Sequence, residues 1–192
     1  YMDFNLDKRK KLIYWTPTNV DMKGENFLNI LLWMDKIAKL QKDYNIIIRP
    51  HPKTLTLAPE IEIKLKKLNF FIDKDHNRKI GEIIKISDLV LSDYGGTIFS
   101  AIFLSKPIIL LNLNHGSKFV YELRYLNSLD LIIRKSILNL ETGISIKNIF
   151  KAVNQSQERD YKKKIINYKQ DFFGPNNKLS INLTKKFLLN LL

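Results

Sequence analysis

Five short apolar runs punctuate the first 111 residues: Leu12-Ile13-Tyr14-Trp15, Ile46-Ile47-Ile48, Phe70-Phe71-Ile72, Leu89-Val90-Leu91 and Ile108-Ile109-Leu110-Leu111. None alternates apolar with polar, as a strand with one wet face would. A strand that is apolar on both sides must be covered on both sides, the condition of a parallel sheet between two helical layers. The intervening segments supply those layers. Phe27, Ile30, Leu31, Met34, Ile37 and Ala38 fall at helical spacing, which predicts a helix over 26–41. Further helices are expected over 58–68, where Pro59 is tolerable in the first turn, over 79–87, and from Thr97 to Ser105 before Pro107. The alternation predicts an α/β fold, a doubly wound domain with a mostly parallel sheet.

Beyond Asn112 the pattern loosens. Residues 112–130 mix loop and a short helix, Leu131-Ile132-Ile133 is a candidate sixth strand, and 145–155 should be helical. The last forty residues read as helix, split by a turn at Phe172-Phe173-Gly174-Pro175-Asn176. The expected division is an α/β domain over 1–155 and a carboxy-terminal helical segment over 156–192, packing on or beyond it. A chain of 192 residues can bury a substantial core, and with no cysteine it has neither a disulfide framework nor a thiolate metal site. The longest apolar stretches fall well short of the roughly 18 residues of a spanning helix. Lys8-Arg9-Lys10-Lys11 leads into a short apolar run without a small-residue cleavage site, so neither a membrane span nor a signal peptide is expected.

The net charge of +13 has two readings: an anionic partner, or the Lys, Ile, Asn and Leu bias of an AT-rich genome. With no RNP signature, zinc-finger spacing or interleaving of aromatic and basic residues, no nucleic acid is expected. A phosphorylated substrate or an anionic membrane surface fits the charge better, and Lys162-Lys163-Lys164 is the densest cluster of the basic tail.

Two motifs sit where such a fold collects ligands, just beyond the carboxyl ends of strands. Arg49-Pro50-His51-Pro52 follows the second strand, and its prolines fix the backbone around a presented histidine. Ser92-Asp93-Tyr94-Gly95-Gly96-Thr97 follows the fourth strand and opens a helix. Gly95 and Gly96 let backbone N–H groups approach an anion, and Thr97 adds a hydroxyl or serves as a helix cap. Together these suit a diphosphate. Asp93 either orients His51 or caps its own loop; His51 is otherwise a loop histidine in a rigid turn. Asp73-Lys74-Asp75 has the two-acid spacing of some metal sites, but no metal is expected, and His76 reads as a loop residue. His115-Gly116-Ser117 matches no nucleophile arrangement. Trp15 and Trp33 read as core, while Tyr121 and Glu122 lie close enough to the fifth strand to reach a nucleoside.

Leu12-Ile13-Tyr14-Trp15-Thr16-Pro17-Thr18, Arg49-Pro50-His51-Pro52, Ile86-Ser87-Asp88-Leu89-Val90-Leu91-Ser92-Asp93-Tyr94 and Lys106-Pro107-Ile108-Ile109 occur in an informative order. In that order the chain resembles the carboxy-terminal, nucleotide-binding half of the CDP-glycerol glycerophosphotransferase family, bacterial enzymes that polymerise or prime teichoic acids and related capsule polymers. The resemblance implies a GT-B-like two-domain enzyme of which this chain is the second domain. The amino-terminal acceptor domain, with the family's Trp-His-Gly histidine, would lie elsewhere. It also implies a CDP-glycerol or CDP-ribitol donor as substrate, no cofactor, a lipid-linked or polymeric acceptor, and a cytoplasmic enzyme peripheral on the inner face of the membrane. His51 would be catalytic, neutralising the departing nucleotide; Arg49, His51, Gly95, Gly96 and Thr97 would bind the donor diphosphate; Asp93 and Thr18 would orient or structure the loops. Two departures are visible. Gly95-Gly96 stands where the family usually has two serines, and Ser100 where it usually has an acid one residue beyond the aromatic. They leave two alternatives: a nucleotide-sugar enzyme, such as one resembling UDP-N-acetylglucosamine 2-epimerases, against which Tyr94 and Ser100 speak, and a non-catalytic, degenerate nucleotide-binding module.

Overall fold

The computed structural model describes residues 4–18, 20–22, 25–27, 29–75 and 77–174. The chain opens with β1 (Lys11–Thr16), a ribbon of β2 (Val20–Met22) and β3 (Glu25–Phe27), and α1 (Asn29–Ala38), which tightens into a 3-10 turn at Lys39–Lys42. There follow β4 (Tyr44–Ile48), α2 (Pro52–Leu57), α3 (Glu60–Lys67), β5 (Phe71–Ile72), α4 (Ile80–Ile86), β6 (Leu89–Ser92), α5 (Thr97–Phe103) and β7 (Ile108–Leu111). The remainder is α6 (His115–Arg124), α7 (Leu129–Arg134), β8 (Asn139–Leu140), α8 (Ile146–Gln157) and α9 (Arg159–Phe173).

Six strands form one sheet in the order β5-β4-β1-β6-β7-β8, every neighbouring pair parallel. Successive side chains of β1 serve opposite cores. Ile13 and Trp15 pack with Trp33 and Ile37 of α1, Ile61 of α3 and Val153 of α8, while Leu12 and Tyr14 pack with Ile83 of α4, Ile102 of α5 and Ile165 of α9. The continuous apolar runs therefore report burial on both faces. The chain winds outward from β1 to β5, returns to the other side of β1 with β6, and winds outward again. Between β1 and β6 the connections diverge and leave a crevice at the carboxyl edge of the sheet.

Two sequence expectations are corrected here. Leu131-Ile132-Ile133 is helical, within α7, and the sixth strand is β8, paired through Leu110↔Asn139 and Leu111↔Leu140. Three consecutive apolar residues do not distinguish helix from strand. The burial of the wider segment does: Asp130, Ile133 and Arg134 are buried while Leu129 and Ile132 are exposed, the i, i+3, i+4 spacing of one helical face. Phe27 pairs with Val20 in the antiparallel ribbon instead of starting a helix, and α1 begins at Asn29. In addition, α2 begins at the second motif proline, Pro52, which occupies its first turn. Residues 175–192, and with them the expected continuation of the helical tail, lie outside the described residues, as does His76. Within them, α9 closes over α5 through Phe99–Phe172 and Phe103–Phe173 edge contacts and ends at Gly174 (φ 72°). Among the described residues no helix is long and apolar enough to cross a membrane.

Candidate donor-binding cleft

A cleft of about 360 Å³ occupies the crevice. Its walls are Thr16, Pro17 and Thr18 after β1, Arg49 to Pro52 after β4, and Tyr94 to Thr97 after β6, with Ile80 of α4 at one side. Six of the seven candidate residues line it: Thr18, Arg49, His51, Gly95, Gly96 and Thr97. Asp93 lies beneath it.

Asp93 is 1% exposed and accepts hydrogen bonds from Thr18 N (2.9 Å to Oδ1), Asn29 Nδ2 (3.0 Å) and Tyr94 N (2.8 Å). Burial pushes its carboxyl above the ordinary value, against the pull of those donors. Its partners are thus the loops after β1 and β6 and the start of α1, and His51 is not among them. Thr18 completes the tie by donating from Oγ1 to Tyr94 O at 2.6 Å. The pair Asp93 and Thr18 stitches two cleft walls together.

His51 caps the N-terminus of α2, its Nδ1 accepting from Lys53 N at 3.2 Å. With Nδ1 an acceptor, the ring proton sits on Nε2, and the exposed imidazole can offer that N–H. Burial of part of the ring, and then Lys53, lower its pKa, favouring the neutral form. Arg49 is anchored more firmly. Its Nη1 donates to Arg78 O at 2.8 Å and to Asp73 Oδ2 at 3.3 Å, while Arg78 Nη1 meets Asp73 Oδ1 at 2.8 Å. Asp73 is 2% exposed, so the residue read as half of a weak metal motif is the buried counter-ion of two guanidiniums. Asp75 reaches Arg78 at 3.7 Å.

The glycines differ in what they require. Gly95 has φ 86°, a conformation that costs an L residue about 1–2 kcal/mol, whereas Gly96 has φ −69° and a Cβ there would meet nothing within 4 Å. Gly95→Ala is therefore expected to lower stability by about 1–2 kcal/mol, and Gly96→Ser to change it by less than about 0.5 kcal/mol. Thermal unfolding of both variants checks this; equal losses would contradict it. The Gly95 N–H is already engaged, donating to Asp130 Oδ2 at 3.1 Å. The α5 ladder starts with Phe99 N and Ser100 N on Gly96 O, which leaves the N–H groups of Gly96 and Thr97 outside it.

Several residues that shape the cleft carried no sequence signal of their own: Asn29, Arg78, Asp130 and Arg134. Tyr121, considered for a nucleoside contact, instead donates to Asp130 at 3.2 Å and packs on Tyr94 with ring centroids 4.3 Å apart.

Numbered along the chain, the sheet runs 3-2-1-4-5-6, and a crevice with cations on one side and a glycine turn on the other lies at its switch point. That combination defines a doubly wound α/β domain of the nucleotide-binding kind. Comparison with known proteins is more specific. The chain belongs to the CDP-Glycerol:Poly(glycerophosphate) glycerophosphotransferase family, whose family model matches residues 2–174. It is 25% identical over 112 residues to the teichoic acid poly(ribitol-phosphate) polymerase of Bacillus spizizenii, an alignment covering 57% of this chain and 18% of that protein. It is 29% identical over 108 residues to the teichoic acid poly(glycerol phosphate) polymerase of Staphylococcus epidermidis, covering 54% and 14%. Its fold superposes on the wall teichoic acid polymerase TagF with a TM-score of 0.63 at 22% identity, over 97% of this chain and 44% of that one. The chain thus spans less than half the length of these relatives.

Proposed function

We propose that this chain is the donor-binding part of a transferase that moves a polyol phosphate from CDP-glycerol or CDP-ribitol to a lipid-linked or polymeric acceptor. The observation that carries this is the cleft at the switch point, where His51 and Arg49 face the Gly95-Gly96-Thr97 turn. Family membership, and the polymerases to which the chain is similar, support the choice of donor over the epimerase alternative. TagF, whose fold this chain shares, has been soaked with CDPG.

In this reading the donor diphosphate lies across the cleft. An acceptor hydroxyl attacks the β-phosphorus; a new P–O bond forms as the bridging P–O bond breaks, and CMP leaves with the bridging oxygen's charge. His51 Nε2–H meets that growing charge. Arg49 and Arg78, sharing the buried Asp73 carboxylate, add a positive field beneath it. Gly96 and Thr97 supply backbone donors. The acceptor's proton goes to a base in the amino-terminal acceptor domain, and no resident cofactor or metal is invoked.

Calorimetric titration of the chain with CDP-glycerol, CMP and UDP-N-acetylglucosamine tests the reading. Binding that prefers the cytidine ligands is expected. Preference for the uridine ligand overturns it, and silence from all three leaves a non-catalytic module. The working location is proposed as the cytoplasmic face of the membrane, with Lys162, Lys163 and Lys164 exposed on α9 contributing about 1 kcal/mol each near an anionic surface. Sedimentation with anionic vesicles that is indifferent to salt would remove that part.

A further inference from the structure

α7 grips the loop after β6 at both ends. Asp130 and Arg134 are one helical turn apart on the buried side of this six-residue helix. Asp130 Oδ2 accepts from Gly95 N, and the Arg134 guanidinium donates to Asp93 O and to Asn112 Oδ1. The same guanidinium lies 3.9 Å from the centroid of the Tyr94 ring, the residue between the two gripped peptides. Both side chains are buried, at 6% and 5% exposure. Among the described residues Asp130 forms no ion pair and accepts from the Gly95 amide and the Tyr121 hydroxyl; Arg134 likewise donates to carbonyl oxygens and to no carboxylate.

A buried carboxylate without a cation is costly, and it is retained here against a single backbone N–H of the cleft and one phenol. Gly95 is the residue at positive φ, so the direction in which the next two N–H groups point depends on the orientation of the peptide that Asp130 holds. We propose that Asp130 is a positioning residue for the Gly95-Gly96-Thr97 turn, with Arg134 fixing the other end of the same loop. The consequence for ligand binding rests on the reading of the cleft as a diphosphate site; the consequence for the turn itself does not.

The test uses Asp130→Ala and Asp130→Asn, with Tyr121→Phe as the control that removes only the other donor. Amide hydrogen exchange of Gly95, the turn amide that Asp130 holds, referred to the β1 and β6 amides of the same sample, separates loosening of the turn from general loss of stability. In Asp130→Ala the turn is expected to exchange at least tenfold faster relative to those strands. Asp130→Asn, whose amide oxygen can still accept from Gly95 N, and Tyr121→Phe should stay near the parent. Affinity for CDP-glycerol should fall about tenfold in Asp130→Ala and be restored in Asp130→Asn. Turn exchange in Asp130→Ala that tracks the strands overturns the proposal. A parent chain that binds no CDP-glycerol removes the donor reading instead, and the exchange comparison still decides the role of Asp130.

Discussion

Asp73→Ala is expected to lower the unfolding free energy by about 3–5 kcal/mol, the cost of removing the buried carboxylate from a charged cluster. Asp73 is the shared counter-ion of Arg49 and Arg78, whose side chains are 19% and 10% exposed. Its removal leaves two guanidiniums side by side in a largely dehydrated pocket. Arg78 keeps Asp75, but at 3.7 Å and with that carboxylate about half exposed, which is a weak substitute. Asp73→Asn preserves shape and one acceptor and should fall between Ala and the parent. Urea unfolding monitored by Trp15 and Trp33, both buried, gives the comparison; an Ala variant within about 1 kcal/mol of the parent would show that the trio contributes little.

His51 should show the opposite pattern, a large effect on binding and a small one on stability. Losing a hydrogen bond to a charged phosphate costs roughly 1.5–3 kcal/mol, or about one to two decades in affinity. Because His51 also caps α2, Asn is the informative replacement: it is a good N-cap and lacks the imidazole. His51→Asn is expected to keep the melting temperature within a few degrees and to lose the affinity. The pH dependence has a definite sign. In the free chain partial burial, and then Lys53, hold the imidazole pKa below its ordinary value, which favours the neutral ring. A bound diphosphate favours the imidazolium and raises that pKa, so binding takes up a proton. Donor affinity should therefore be greater on the acid side and decline as pH rises through the raised value. Phosphodiesters of the donor do not titrate in this window. In His51→Asn the profile should be flat; a profile unchanged by the substitution would take His51 out of the cleft's chemistry.

β1, β4, β6 and β7 were legible because their apolar runs are covered on both faces, so that Ile46-Ile47-Ile48 or Ile108 to Leu111 has no polar alternate to disguise it. The cleft residues were legible for a related reason: they are short motifs placed by the ends of those strands. What holds them was not. Asn29 reaches Asp93 across 64 residues, Asp73 reaches Arg49 across 24, and Asp130 reaches Gly95 across 35. Such contacts are created by winding the chain back to β1, and nothing in the local pattern marks them. Reading Leu131-Ile132-Ile133 as a strand also hid the one-turn spacing of Asp130 and Arg134, which exists only in a helix. β8 escaped notice because two residues leave no period to detect.

The outermost strands have a bearing on how this domain can be joined to others. β5 and β8, which flank the sheet, are each two residues long. A neighbouring chain seeking to add a strand at either flank finds too few open amides and carbonyls to register against, so the sheet terminates its own growth. Continuation of this six-stranded sheet, whether into a larger enzyme or into a fibre, is thereby disfavoured. A second domain that packs on this six-stranded sheet meets its covering helices and loops, and a joint of that kind can hinge without breaking a hydrogen-bond ladder.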